Sequence, residues 1–159
     1  MSTHGFKTVG VIGAGQMGNG IAQVMAQEVK VKLLDLDAKL LEKARNSMSK
    51  SLAKLEEKGK VPAGSHDKVL GNIETTTELT DLKDCDLVVE AIVENEQIKC
   101  DLFKKLDELL DPSATIASNT SSIPITRLAA ATGRPDKFIG MHFMNPVPIM
   151  QLVEIIRGF

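Results

Sequence analysis

Short apolar runs and helical stripes alternate along this chain in an order that predicts its architecture. Thr8 to Ile12 is continuously apolar and ends at Gly13, the pattern of a strand buried on both faces of a parallel sheet. Met17, Ile21, Val24 and Met25 then recur at helical spacing, and Val31 to Leu34 gives a second apolar run closed by Asp35. This is a strand-helix-strand unit. From Ala38 to about Lys58, Leu41, Ala44, Met48, Leu52 and Leu55 stripe a long helix that Gly59 stops. At a rise of about 1.5 Å per residue it reaches roughly 30 Å, more than a crossover needs, so its far part is expected to project as an arm.

Val61 to Leu70, with Pro62 and Gly64, turns back from that arm as a short helix, and Ile73 to Thr77 is a β-branched strand. Leu87 to Ile92 forms the next strand. Ile98, Leu102, Leu106, Leu109 and Leu110 stripe a helix that Asn95 caps and Pro112 follows. Thr115 to Ala117 is a strand, SNTSS a polar turn, and a short helix runs from about Pro124, in its first turn, to Ala130. Phe138 to Phe143 and Leu152 to Ile156 are the last strands. The alternation predicts an α/β fold with a doubly wound, mostly parallel sheet.

Composition narrows the partners. The 159 residues suit one globular unit, and the hydrophobic and charged fractions, 43% and 25%, are those of a soluble domain. A net charge of −2 with mixed signs, and no Trp or Tyr for stacking bases, argues against nucleic acid. Two cysteines, Cys85 and Cys100, make no disulfide framework and no metal-ligand spacing, so a reducing compartment and no metal are expected. The first apolar strand begins within a few residues of the amino terminus, so no secretion signal is expected, and no apolar run approaches a bilayer span. No membrane partner is expected.

Gly13-Ala14-Gly15-Gln16-Met17-Gly18 fits G-x-G-x-x-G and stands between a strand and a helix, where Gly13 permits the turn, Gly15 the approach of a pyrophosphate and Gly18 close packing. Asp35, at the end of the next strand, is placed to accept hydrogen bonds from an adenosine ribose and to repel a 2′-phosphate. No Arg follows it, which favours NAD over NADP, although Lys39 stands nearby. Related turns serve FAD and methyl donors, and the bland alternative has the glycines merely turning the chain while Asp35 caps the long helix. The fold so predicted is Rossmann-type.

Hydride chemistry needs a group to take a proton. Of the three histidines, His4 and His66 lie in the amino terminus and a polar turn, whereas His142 ends a strand at the carboxyl edge, where such sheets bind ligands. Glu154 stands inside the run LVEII, where a buried charge would need a partner. A His–Glu pair would fix the imidazole tautomer; an edge-strand Glu154 facing solvent is the alternative.

GAGQMGNGIA, VVEAIVEN, ASNTSSI, MHFMNPVP and LVEIIRG, in this order from Thr8 to Gly158, resemble the 3-hydroxyacyl-CoA dehydrogenase family, in the subgroup acting on 3-hydroxybutyryl-CoA or longer chains. The resemblance implies His142 as the catalytic base, Glu154 orienting it, and Ser121 contacting the substrate oxygen and the nicotinamide side. It further implies Asn145 and Glu94 near the nicotinamide and its ribose, Lys99 near cofactor and CoA, and Ser51 and Lys58 along the CoA carrier. The implied reaction is NAD-dependent oxidation of (S)-3-hydroxyacyl-CoA to 3-oxoacyl-CoA.

The family continues beyond LVEIIRG into a helical domain that closes the acyl pocket and forms most of a dimer interface, and the resemblance implies that this domain is absent from the 159 residues. The expectation is therefore NAD binding with little or no turnover, and a homo-oligomer weakened or altered. Alternatives are a mere NAD- or CoA-binding domain and a relative acting on another hydroxy acid. The expected compartment is intracellular: cytoplasmic in a bacterium, or mitochondrial or peroxisomal, since members from all three share these motifs.

Overall fold

The structure, a computed structural model, describes residues 5–159, so His4 lies outside the described residues. Strands β1 (Thr8–Ile12), β2 (Lys30–Leu34), β3 (Ile73–Thr76), β4 (Leu87–Glu90), β5 (Thr115–Ser118), β6 (Phe138–Phe143) and β7 (Val153–Arg157) form one sheet in the order 3-2-1-4-5-6-7. Every pairing is parallel except β6 with β7. The chain crosses from one half of the sheet to the other between β1 and β4, and the crevice beyond their carboxyl ends is where such a sheet binds ligands.

Helices α1 (Gln16–Met25), α2 (Ala38–Glu57), α3 (Ser65–Gly71), α4 (Glu96–Leu109) and α5 (Ile125–Ala129) cover the sheet, with 3₁₀ turns at Leu79–Leu82 and Pro135–Lys137. Two apolar cores result, one around α1, α2 and β2, the other around α4, α5 and β5. In α2 the buried face is Leu41, Ala44, Met48 and Leu52, as the stripe predicts. Beyond Leu52 the helix buries no residue, and α3 folds back against it, forming the arm.

In α4 the predicted stripe holds at Leu106 and at Leu110, buried just past the helix, and fails at its start. Lys99, Phe103 and Leu106 are the buried face, and Ile98 is 49% exposed. Phe103 meets Phe138 edge-on with ring centroids 4.8 Å apart, so it anchors the helix on β6. The apolar residues alone could not give this phase, because the first core-facing residue of the helix is a lysine. Pro124 is likewise one step from its expected place, as the residue before α5 and not within its first turn. Arg134 is buried and donates to the carbonyls of Asp107, Leu110, Asp111 and Ala114, closing the carboxyl end of α4.

Candidate cofactor and active site

The glycines of the first turn do different jobs. Gly13 has φ +106°, and a Cβ there would stand 2.5 Å from the Ala91 carbonyl oxygen, so both conformation and space demand glycine. A Cβ on Gly18 would lie 1.6 Å from the Gly13 oxygen, which makes this glycine the condition for packing α1 onto β1. Gly15 differs: a Cβ there meets nothing within 4 Å. Nothing inside the fold requires glycine at this point.

What lies in front of Gly15 is the start of α1. That helix has no side-chain cap and no acidic residue in its first turn. By contrast Asp37 caps α2 by accepting from the Lys39 amide at 2.9 Å, and Asn95 caps α4 by accepting from the Ile98 amide at 3.0 Å, as predicted for Asn95. The free amides of α1, with open space at Gly15, fit a pyrophosphate. Asp35 accepts from the Ala14 amide at 2.9 Å and the Asp37 amide at 3.0 Å, so it braces the turn, and the helix-capping alternative falls to its neighbour Asp37.

Beside the turn lies a cleft of about 320 Å³ whose lining includes Met17, Glu94, Lys99, Ser121, His142 and Asn145, all singled out from the sequence. Gln16 donates to the Asn145 side chain at 3.2 Å, linking the glycine turn to the bend after β6. Asn119, which the sequence did not flag, also lines the cleft and accepts from the Phe143 amide at 2.9 Å, fixing the end of β6 to the SNTSS turn. His142 is half-buried at that strand end. Glu154 stands directly opposite it in the antiparallel ladder, so the two side chains share a face.

Glu154 is exposed, however, and forms no hydrogen bond to the imidazole here. The expectation that burial forces Glu154 to seek a partner is therefore corrected: β7 is an edge strand, and its carboxylate remains solvated.

The strongest electrostatic feature of the cleft is a residue pair that the sequence only half showed. Lys99 is 1% exposed and its ammonium pairs with Glu90, itself 0% exposed, and with Glu94 at 2.9 Å. Glu90 also accepts from the Ser118 hydroxyl and from the Ile92 amide at 2.8 Å. Glu94 accepts from Thr120 at 2.7 Å and Ser122 at 2.9 Å. Burial pushes the Glu94 carboxyl up, but the hydrogen bonds from Lys99, Thr120 and Ser122 with the Lys99 charge outweigh it and bring it down to about 2. Glu90 went unnoticed in the sequence. The available signal was an acid closing an otherwise apolar strand, LVVE, with a lysine on the core face of the next helix.

Two expected substrate residues lie elsewhere. Ser51 accepts from the buried Gln23 at 3.1 Å, between α2 and α1, and Lys58 is exposed at the end of α2; neither lines the cleft. His66, expected to be solvated, is half-buried and hydrogen-bonds Ser49 at 2.8 Å and Asp67 at 2.9 Å, while Glu56 accepts from the Gly64 and His66 amides. It clasps the arm.

A family model described as "3-hydroxyacyl-CoA dehydrogenase, NAD binding domain" matches residues 8–159. The chain belongs to that family. The family's NAD suits the open glycine turn and Asp35 described above. The chain is 61% identical over 151 residues to "Probable 3-hydroxybutyryl-CoA dehydrogenase" of Deinococcus radiodurans, covering 94% of this chain and 54% of that protein. It is 46% identical to human "Hydroxyacyl-coenzyme A dehydrogenase, mitochondrial", covering 95% of this chain and 50% of that one. Its fold matches the crystal structure of (S)-3-hydroxybutyryl-CoA dehydrogenase from Ralstonia eutropha with a TM-score of 0.92 at 45% identity, covering 97% of this chain and 55% of that one. The chain thus spans about half the length of the curated relatives it matches. No helix among the described residues is long and apolar enough to cross a membrane.

Proposed function

We propose that this chain is the cofactor-binding part of an NAD-dependent dehydrogenase that oxidises (S)-3-hydroxyacyl-CoA to 3-oxoacyl-CoA. The observation that carries this is the convergence of His142, Ser121, Asn145 and the Lys99–Glu94 pair on one cleft beside an uncapped, glycine-opened helix start. Gly13, Gly15, Gln16, Met17, Gly18 and Asp35 hold the dinucleotide. When bound, NAD supplies the acceptor for the C3 hydride. His142 takes the proton of the C3 hydroxyl, and in the reverse direction its imidazolium returns that proton to the developing alkoxide. Ser121, exposed in the cleft, donates to the same oxygen.

Glu154 orients His142. Opposed side chains in an antiparallel pair have Cβ atoms about 4.5–5.5 Å apart, which leaves a carboxylate within reach of an imidazole once the substrate dries the site. Ser51 and Lys58 hold the CoA carrier along the arm. Turnover by the 159 residues alone is slow, because the cleft stays open to water and the transition state lacks a dry, fully positioned setting.

The test is NADH consumption with acetoacetyl-CoA at high protein concentration, with NADH binding measured in parallel. The expected result is slow turnover that disappears in His142→Ala while NADH binding survives. Turnover unaffected by His142→Ala removes the proposed base, and turnover of acetoacetate as fast as of its CoA ester favours another hydroxy-acid substrate. Self-association belongs to the same proposal. Ile149, Leu152, Ile155 and Phe159 are exposed around β7, and an apolar face of this kind favours a second copy. A strict monomer by sedimentation at high concentration counts against it.

A further inference from the structure

The hydrogen bonds around Lys99 close on themselves. From Glu90 they run through the Lys99 ammonium to Glu94, from Glu94 to the Thr120 hydroxyl, from the Thr120 amide to the Ser118 hydroxyl at 3.2 Å, and from that hydroxyl back to Glu90. This ring joins the end of β4, the first turn of α4 and the SNTSS turn after β5. Those are three segments of the cleft wall. Glu90, Lys99, Ser118 and Thr120 are buried, and only Glu94 reaches solvent, with 41% of its side chain exposed.

Glu90 does not line the cleft, yet it touches all three segments: the Ile92 amide after β4, Lys99 on α4 and Ser118 on β5. We propose that Glu90 is a positioning residue that fixes the Glu94 carboxylate and the Ser121 turn against the nicotinamide half of the dinucleotide. The proposal rests on the dinucleotide reading above. Its physical basis is the division of one ammonium between two carboxylates. With Glu90 in place, Lys99 is held from the buried side and Glu94 is aimed along the wall. Without the Glu90 charge, Lys99 turns wholly to Glu94, and Ser118 loses the acceptor that sets the path of Thr120 and Ser121. Glu90 meets the glycine turn only through backbone, as the ladder partner of Ile12, and no side chain of the ring bonds that turn or Asp35, so a change of the Glu90 side chain should reach the adenosine half of the ligand far less than the nicotinamide half.

The experiment titrates the 159-residue chain and its Glu90→Gln variant with NADH and, separately, with ADP-ribose, which lacks the nicotinamide and keeps both phosphates and the adenosine. We expect Glu90→Gln to weaken NADH on the order of tenfold, as for a buried charged hydrogen bond, and to leave ADP-ribose within about twofold. A residue with only a structural role would move the two ligands together. Equal weakening of both, or no change in either, overturns the proposal. If Glu90→Gln does not fold, Ser118→Ala, which removes the hydroxyl's two bonds in the ring but keeps the Glu90–Lys99 pair, should show the same split at smaller size; no split there overturns the proposal too. A parent chain that binds neither nucleotide sinks the dinucleotide reading itself, an outcome distinct from failure at Glu90.

Discussion

The two walls of the site are built from different materials. One wall, the turn after β1, is made of backbone: three glycines, the amides at the start of α1 and a carboxylate that braces the loop. The other, from β4 to β6, is made of side chains from several elements, tied by the ring through Glu90, Lys99, Glu94, Ser118 and Thr120. A wall of backbone is most sensitive to an added methyl group. A wall of paired side chains is most sensitive to the loss of a charge.

The comparison breaks first at Lys99. Lys99→Met keeps the length of the side chain but leaves Glu90 as a buried carboxylate without its cation, and removing one partner of a buried pair costs about 3–5 kcal/mol. Chemical denaturation of the variant should show a loss of that order. A loss under about 1 kcal/mol, the range of exposed ion pairs, would mean that the second wall is not held by charge despite the burial of the pair.

The backbone wall is sharpened by a pair of identical substitutions. Gly18→Ala forces a methyl into the Gly13 carbonyl and should cost about 1–3 kcal/mol or more, as overpacking does. Gly15→Ala has φ −73° and open space around it, so its stability should stay within about 0.5 kcal/mol of the parent. Its NADH binding should nevertheless fall sharply, because the methyl occupies the approach of the pyrophosphate. Thermal melts and NADH titrations of both variants separate the two roles. Gly15→Ala with parental affinity would show that no phosphate comes that close.

The same contrast explains what the sequence disclosed. The glycine turn and Asp35 lie within one strand-helix-strand unit, so spacing alone revealed them, and all seven strands were legible as apolar or β-branched runs, five of them with ends one or two residues from the structure. β1 and β6 matched at both ends. The second wall depends on which residues meet across the sheet. Lys99 breaks the helical apolar pattern, which shifted the predicted stripe onto Ile98; its two carboxylate partners are what make a core-facing lysine tolerable, and partners nine and five residues away in sequence leave no periodic trace. Glu154 shows the opposite limit: its register with His142 was not predictable, and its exposure follows from β7 being the last strand of the sheet.

The smallest effect tests the charge of the second wall directly. The Glu94 carboxyl, ordinarily at 4.5, is held near 2 in the folded chain, where burial opposes ionisation but Lys99, Thr120 and Ser122 favour it more. A carboxyl whose folded value is depressed stabilises the fold above its unfolded value, and that contribution is lost as pH falls from about 4.5 towards 2. Because 41% of the side chain is exposed, solvent and salt screen the effect and keep it modest. Urea denaturation across this window should therefore show a steeper acid loss in the parent than in Glu94→Gln, and the difference should shrink at high salt. Parallel curves for the two proteins would leave Glu94 as a neutral spectator, and the ring would then owe its rigidity to the Glu90–Lys99 pair alone.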